Sequence, residues 1–272
     1  MKRRHFLRRA GQGIAGAFGA FAGISPRNLW AVDGPPDPGA VTLFLAGDVM
    51  LGRGIDHVLP NPAGSWTGED PDHTGDKYVA LAEKANGAVP RPVSFDYVWG
   101  DALQELDAMA PAARLINLET SVTSSEDAWP GKVVHYRMSP ANTPVLNAAR
   151  IDGCSLANNH VLDFGYKGLT QTLGSLRQAN VRCAGAGENA ADAGAPAVFE
   201  TGNGRVLMYF PTLDRNSGEL RRFEIIPMRV ARLRLQRASR EESEWLAETL
   251  DRESRGGGSF VLNAQGRIEL AG

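Results

Sequence analysis

The chain has 272 residues, 43% hydrophobic and 22% charged, with 31 Gly, 16 Pro and 2 Cys. This ordinary globular composition excludes a disordered, collagen-like or coiled-coil protein, and two cysteines exclude a disulfide scaffold or a four-thiolate zinc site. The net charge of −2 is unevenly spread, residues 32–206 holding 12 bases against 21 acids, so the main body lacks the basic footprint that nucleic acid requires.

Residues 1–31 carry Lys2, Arg3, Arg4, Arg8, Arg9 and Arg27 and no acid. The Arg3-Arg4 pair precedes Phe6-Leu7, a weakly apolar run over 10–24 and a small-residue end at Ala31. Basic head, apolar middle and small end predict an export signal, and the adjacent arginines resemble the twin-arginine type. About 15 apolar residues are too few for a usual membrane span. A periplasmic or otherwise extracytoplasmic protein is expected, touching the membrane only through this signal. Residues 32–40 follow as a Gly/Pro-rich linker.

Val41 to Ala46 is a short apolar run ending in Gly47-Asp48, the pattern of a buried strand. Residues 61–75 read as a loop rich in Pro, Gly and Asp. Leu103, Leu106 and Met109 have helical spacing within 99–109. Arg114 to Leu118 is the next strand, ending at Glu119. Ser139-Pro140 opens a predicted helix to Ala149. Gly153 to Ala157 is a strand ending at Asn158-Asn159-His160. Leu169, Leu173 and Leu176 place one apolar face on a helix over 165–179. Val181 to Ala184 is a further strand.

Beyond Arg205 the pattern becomes strand-rich over 206–210, 219–226 and 229–235, where the arginines read as a solvated face. A helix is expected over 240–253, then a hairpin from 260–262 and 268–270. Cys154 and Cys183 lie in or beside predicted strands. Export would permit a disulfide between them, but a twin-arginine substrate folds in a reducing cytosol, and two buried thiols acting as small apolar groups are the favoured reading.

Alternation of strand and helix predicts an α/β fold with a parallel sheet. In such sheets ligands sit beyond the carboxyl ends of the strands. Three polar clusters fall at three predicted strand ends: Asp48, Asn117 with Glu119, and Asn158-Asn159-His160. Carboxylate, amide and imidazole groups suit a hard divalent cation with an open position, which could activate water against a phosphoryl group. Helix capping by the same residues is the competing reading.

The segments Gly47-Asp48-Val49-Met50-Leu51-Gly52-Arg53, Asn117-Leu118-Glu119-Thr120 and Ala157-Asn158-Asn159-His160, with Asp163 and Gly165, resemble the bacterial capsule-synthesis or poly-γ-glutamate-biosynthesis family. That family looks like a branch of the calcineurin-like metallophosphatases. Met208-Tyr209-Phe210-Pro211-Thr212 and Pro227-Met228-Arg229 are similar to its C-terminal end. The resemblance implies a metallophosphatase-like layered α/β sandwich, divided here into residues 41–206 and 207–272 of one domain.

It also implies roles. Asp48 would be a metal ligand, Asn117 or Glu119 would bridge metals, and Asn159 would hold a second metal. His160 would act as general acid or contact phosphate. Arg53 and Asn158 would bind substrate, Arg53 by a bidentate grip on an anionic group, and Asp163 would orient His160 from behind. A surface ion pair for Arg53 and a helix cap for Asp163 are equally open.

The family carries His-Trp-Gly and Gly-His-x-x-His segments that would fall between Val206 and Leu207. This chain has histidines at 5, 57, 73, 135 and 160 only, as though a central block were deleted. The sandwich is therefore expected to be incomplete, with unpaired apolar strand edges and reduced stability. Any divalent metal (Mn, Fe, Mg or Zn) would be held weakly. The expected function is to assist synthesis, tethering or export of an anionic envelope polymer alongside the polymer-synthesis machinery. A metal-dependent phosphoesterase acting on a phosphate-containing substrate, and a truncated gene product without function, are the alternatives.

Overall fold

The computed structural model describes residues 40–64, 74–195, 197, 199–200, 205–206, 212–214, 217, 220–253 and 259–271. The expected export signal, nearly all of the linker, His73 and the 207–210 junction lie outside the described residues. No described helix is long and apolar enough to cross a membrane. The chain forms two units, one of residues 42–210 with 230–236, the other of the remainder.

Strand β1 (Ala40–Val41) belongs to the smaller unit. The larger unit begins at β2 (Leu43–Val49), followed by α1 (Arg53–Val58), α2 (Gly75–Asn86) and α3 (Ala102–Met109). Next come β3 (Ala113–Leu118), β4 (Ser121–Val122), β5 (Arg137–Met138) and α4 (Pro144–Ala148). Then follow β6 (Gly153–Ser155), α5 (Gly165–Gln178), β7 (Arg182–Ala184), α6 (Ala190–Gly194), β8 (Phe199–Glu200) and β9 (Arg205–Val206). Strands β2, β3, β6 and β7 form a parallel sheet in the order β2-β3-β6-β7. The expected α/β class is what the structure has.

Burial explains the pattern. Strand β3 buries Ala113, Leu115, Ile116 and Leu118, as a central parallel strand covered on both faces does. Helix α5 buries Leu169, Leu173 and Leu176, each worth about 1.5–3 kcal/mol when removed from water. These join Leu51, Val58, Val79, Trp99, Ile116, Leu118, Met138 and Leu146 in one core.

The expected helix over 139–149 is two pieces. Ser139 caps a 3-10 turn (Pro140–Asn142), its hydroxyl accepting from the Ala141 N–H at 3.3 Å, before α4 begins. Helices α1 and α2 fall in stretches where no helix is predicted.

In the smaller unit, β1 pairs antiparallel with β10 (Thr212–Asp214), which pairs with β11 (Leu220–Arg222). The expected 219–226 strand breaks at Phe223, since β12 (Glu224–Ile225) joins a different sheet. The expected 229–235 strand, most of which belongs to the larger unit, is a hairpin of β13 (Met228–Ala231) and β14 (Arg234–Arg237). Arg232 and Leu233 turn it with φ of 54° and 56°, the left-handed pair of a two-residue hairpin loop. Helix α7 (Arg240–Glu253) precedes the hairpin of β15 (Ser259–Leu262) and β16 (Ile268–Ala271).

Candidate functional site

A break in the β2–β3 ladder creates the first arm of the site. Ala46 pairs with Ile116 and Val49 with Leu118, but the register shifts between them. Asp48 sits in that irregularity with φ of 50°, so a bulge re-aims its side chain at the strand end. The Asn117 amide donates to Asp48 Oδ1 at 2.8 Å.

The second and third strand ends join the same chain of contacts. The Asn158 amide donates to Asn117 Oδ1 at 3.0 Å and to the Leu118 carbonyl at 2.9 Å. Asn158 Oδ1 in turn accepts from the His160 backbone N–H at 3.0 Å. Thus Asp48, Asn117, Asn158 and His160, from three separate strand ends, form one hydrogen-bonded line.

His160 is buried and fixed from several directions. Its Nδ1 lies 2.7 Å from Asp163 Oδ2, and a carboxylate can only accept, so Nδ1 carries the proton. Nε2 is then left to face Glu119, whose Oε1 lies 3.7 Å away. The Tyr136 ring stacks on the imidazole at 3.9 Å between centroids and 22° between planes. The Arg53 guanidinium in turn lies 4.7 Å from the Tyr136 centroid and 4.6 Å from that of Tyr78. Arg53 is therefore part of a cation–aromatic stack backing His160.

Asp163 is fully buried. It accepts from the Tyr136 backbone N–H at 2.6 Å and from the Lys132 ammonium, which also donates to the Asn159 carbonyl. The Asn159 side chain is exposed. Lys132 and Tyr136 escape sequence reasoning because they lie on an irregular loop with no periodicity, far along the chain from their partners. The Trp129–Tyr136 loop combines aromatic and basic residues, a faint signal without a spacing to interpret.

Glycine is required at one approach. A Cβ on Gly52 would lie 2.7 Å from the Arg137 carbonyl oxygen and 2.9 Å from its nitrogen. Gly52→Ala is expected to destabilise the protein by about 1–3 kcal/mol, measured by urea unfolding. An unchanged midpoint would contradict this close packing.

Burial first, then the Asp48 charge, push the Glu119 carboxyl above its usual range; Asp163 adds to this, while His160 and Lys132 pull it back. A raised folded-state value means the folded protein holds more protons, so stability falls as pH rises through that interval. In chelator-containing buffer, Glu119→Gln is expected to unfold at higher urea than wild type at neutral pH. The gain shrinks as pH drops below the ordinary glutamate value. Equal midpoints at neutral pH would contradict the assignment.

Among the described residues, no three His, Cys, Asp or Glu side chains gather closely enough to hold a metal ion. The donors fit a hard cation in part. Asp48 and Glu119 repel one another, which a cation would relieve, but Asn117 already uses its amide on Asp48 and its oxygen on Asn158. The other described histidines serve elsewhere. His57 Nε2 lies 2.9 Å from Asp76 Oδ1. His135 is buried with its ring 5.7 Å from that of Phe164.

A parallel sheet whose carboxyl-edge loops converge acid, amide and imidazole groups is an α/β protein with its ligand chemistry at the strand ends. The family profile described as bacterial capsule synthesis protein PGA_cap matches residues 42–249. The chain belongs to that family.

Proteins from two strains of Mycobacterium tuberculosis, each named a probable polyglutamine synthesis accessory protein, are 42% identical over 182 residues. That alignment covers 67% of this chain and 48% of the relatives. The chain thus spans about half the length of these curated relatives. An uncharacterized protein of Sinorhizobium fredii is 34% identical over 98 residues, 34% of this chain and 21% of its own length.

Proposed function

We propose that this protein is an exported accessory of capsule or poly-γ-glutamate-type polymer synthesis. It assists the making, tethering or export of an anionic envelope polymer, together with the synthesis machinery, and carries a partial, weak cation site. The reading is carried by the hydrogen-bonded line from Asp48 through Asn117 and Asn158 to His160. Family membership and the relatives' names support the polymer-synthesis role, and the basic, then apolar, first 31 residues support export.

In this reading Asp48 and Glu119 hold a divalent cation, with Asn117 and Asn159 beside them. The cation would offset the charge of an anionic group. Asn158 fixes the loop that presents His160, and Asp163 keeps the imidazole proton on Nδ1 so that Nε2 meets the ligand. Arg53 supports that imidazole through Tyr136.

Two measurements test this. Deleting the gene in its own organism is expected to lower surface-bound anionic polymer, restored by the wild-type gene and not by His160→Ala. Undiminished polymer in the deletion strain would overturn the role. Calorimetry of the full chain with Mn2+ is expected to show weak binding that Asp48→Ala abolishes; no heat with wild type would overturn the cation site.

A second reading, a metal-dependent phosphoesterase, is favoured by the His160–Asp163 pair. The Nδ1 proton held by Asp163 leaves Nε2 able to take up a proton as general base and return it as general acid. It requires hydrolysis of a generic phosphodiester by the full chain, lost with chelator and in His160→Ala.

A further inference from the structure

The parallel ladder between β6 and β7 sets Cys154 directly opposite Cys183. Opposed residues on neighbouring strands share a face of the sheet, so both thiols project the same way. Strand spacing of about 4.8 Å falls within the Cα separation of about 4.4–6.8 Å that disulfides span. Both cysteines are free. Cys154 is fully buried, whereas Cys183 lies half-exposed on β7, an edge of the sheet among the described residues.

We infer that Cys154 and Cys183 form an oxidisable dithiol that closes into a cross-strand disulfide. The half-exposed Cys183 thiolate attacks a small-molecule disulfide, releasing one thiolate and forming a mixed disulfide. The Cys154 thiolate then attacks the Cys183 sulfur and releases the second thiolate. The two protein thiols lose two protons and two electrons, and the small disulfide is reduced to two thiols. Burial pushes both protein thiols above their ordinary range, with the Cys183 neighbour adding to the effect at Cys154 and Arg177 opposing it at Cys183. Closure is therefore slow at neutral pH and faster in alkaline buffer.

The bond would act just beneath the site. The Leu156 N–H donates to the Ala184 carbonyl at 2.8 Å, one step past the cysteine pair. A Cβ on Gly185 would come within 2.6 Å of Ala157 Cβ, so the chain after β7 lies tight against the segment leading to Asn158 and His160. Drawing the cysteines together pulls on that segment.

The test uses the reduced full chain incubated with oxidised glutathione in alkaline buffer, then intact mass and peptide mapping. The expected product is two hydrogens lighter, yields a Cys154–Cys183 cross-linked peptide, and returns to the starting mass with dithiothreitol. Cys154→Ala is expected to stop at one glutathione on Cys183. A wild-type protein that also stops at the glutathione adduct would overturn the inference. So would one that cross-links into dimers, or one that keeps both thiols free while both alkylate after unfolding.

Discussion

Asp163→Ala is expected to destabilise the larger unit by about 3 kcal/mol and to uncouple His160 from the rest of the site. The side chain has no solvent exposure, yet it accepts from the Tyr136 N–H, faces His160 Nδ1 and takes the Lys132 ammonium. Its removal orphans two buried nitrogens and one cation. Removing one partner of a buried ion pair costs about 3–5 kcal/mol. The lower end applies here because the Lys132 side chain is 25% exposed and can turn to water.

Asp163→Asn separates folding from chemistry. The amide keeps the volume and one acceptor, so the loss falls to about 1–2 kcal/mol. The Tyr136 N–H and His160 Nδ1 both face Oδ2, so the amide oxygen keeps that place and the ring proton stays on Nδ1. The NH2 takes the Oδ1 place and displaces the Lys132 ammonium. Urea unfolding gives the loss, and 15N spectra of the imidazole give the tautomer. An Asp163→Asn protein whose imidazole proton moves to Nε2 would show that the acceptor facing Tyr136 and Nδ1 does not set the tautomer.

The three strand ends are legible in the sequence because buried parallel strands are short apolar runs that stop where polar residues begin. The runs Val41 to Ala46, Arg114 to Leu118 and Gly153 to Ala157 suffice to deliver Asp48, Glu119 and Asn158. Helix α5 is equally legible, since Leu169, Leu173 and Leu176 repeat at helical spacing. Helix α2 is not: it buries only Gly75 and Val79, too thin a stripe to stand out from a polar segment. The bulge at Asp48 and the break at Phe223 depend on pairing with distant strands, which periodicity along one segment cannot encode. Lys132 and Tyr136 reach His160 and Asp163 only through the folded loop. Their roles follow from tertiary contacts, and no local pattern carries them.

The same dependence on distant partners governs the largest stability effect expected, at Asp56. This buried carboxylate on α1 accepts from the Ala63 N–H at 2.7 Å, the Ser139 N–H at 2.9 Å and the Asn142 amide at 2.7 Å. It thereby ties α1 to the turn that opens α4. Asp56→Ala leaves these donors unpaired at about 1–3 kcal/mol each, and water entering the vacated space offsets part of that. A net loss of about 4 kcal/mol is expected. Desolvation nonetheless raises the Asp56 carboxyl above its ordinary value, its three hydrogen bonds and the Arg137 charge opposing this only in part. Wild-type stability should therefore fall as pH rises from the unfolded aspartate value through the folded one, and that slope should vanish in Asp56→Ala. Arg53 begins the same helix, so loosening α1 also releases the cation that backs Tyr136 and His160. Urea titrations of both proteins across acidic to neutral pH measure the loss and the slope together. A loss below about 1 kcal/mol, or a slope that persists in the variant, would show that Asp56 is not the anchor of α1.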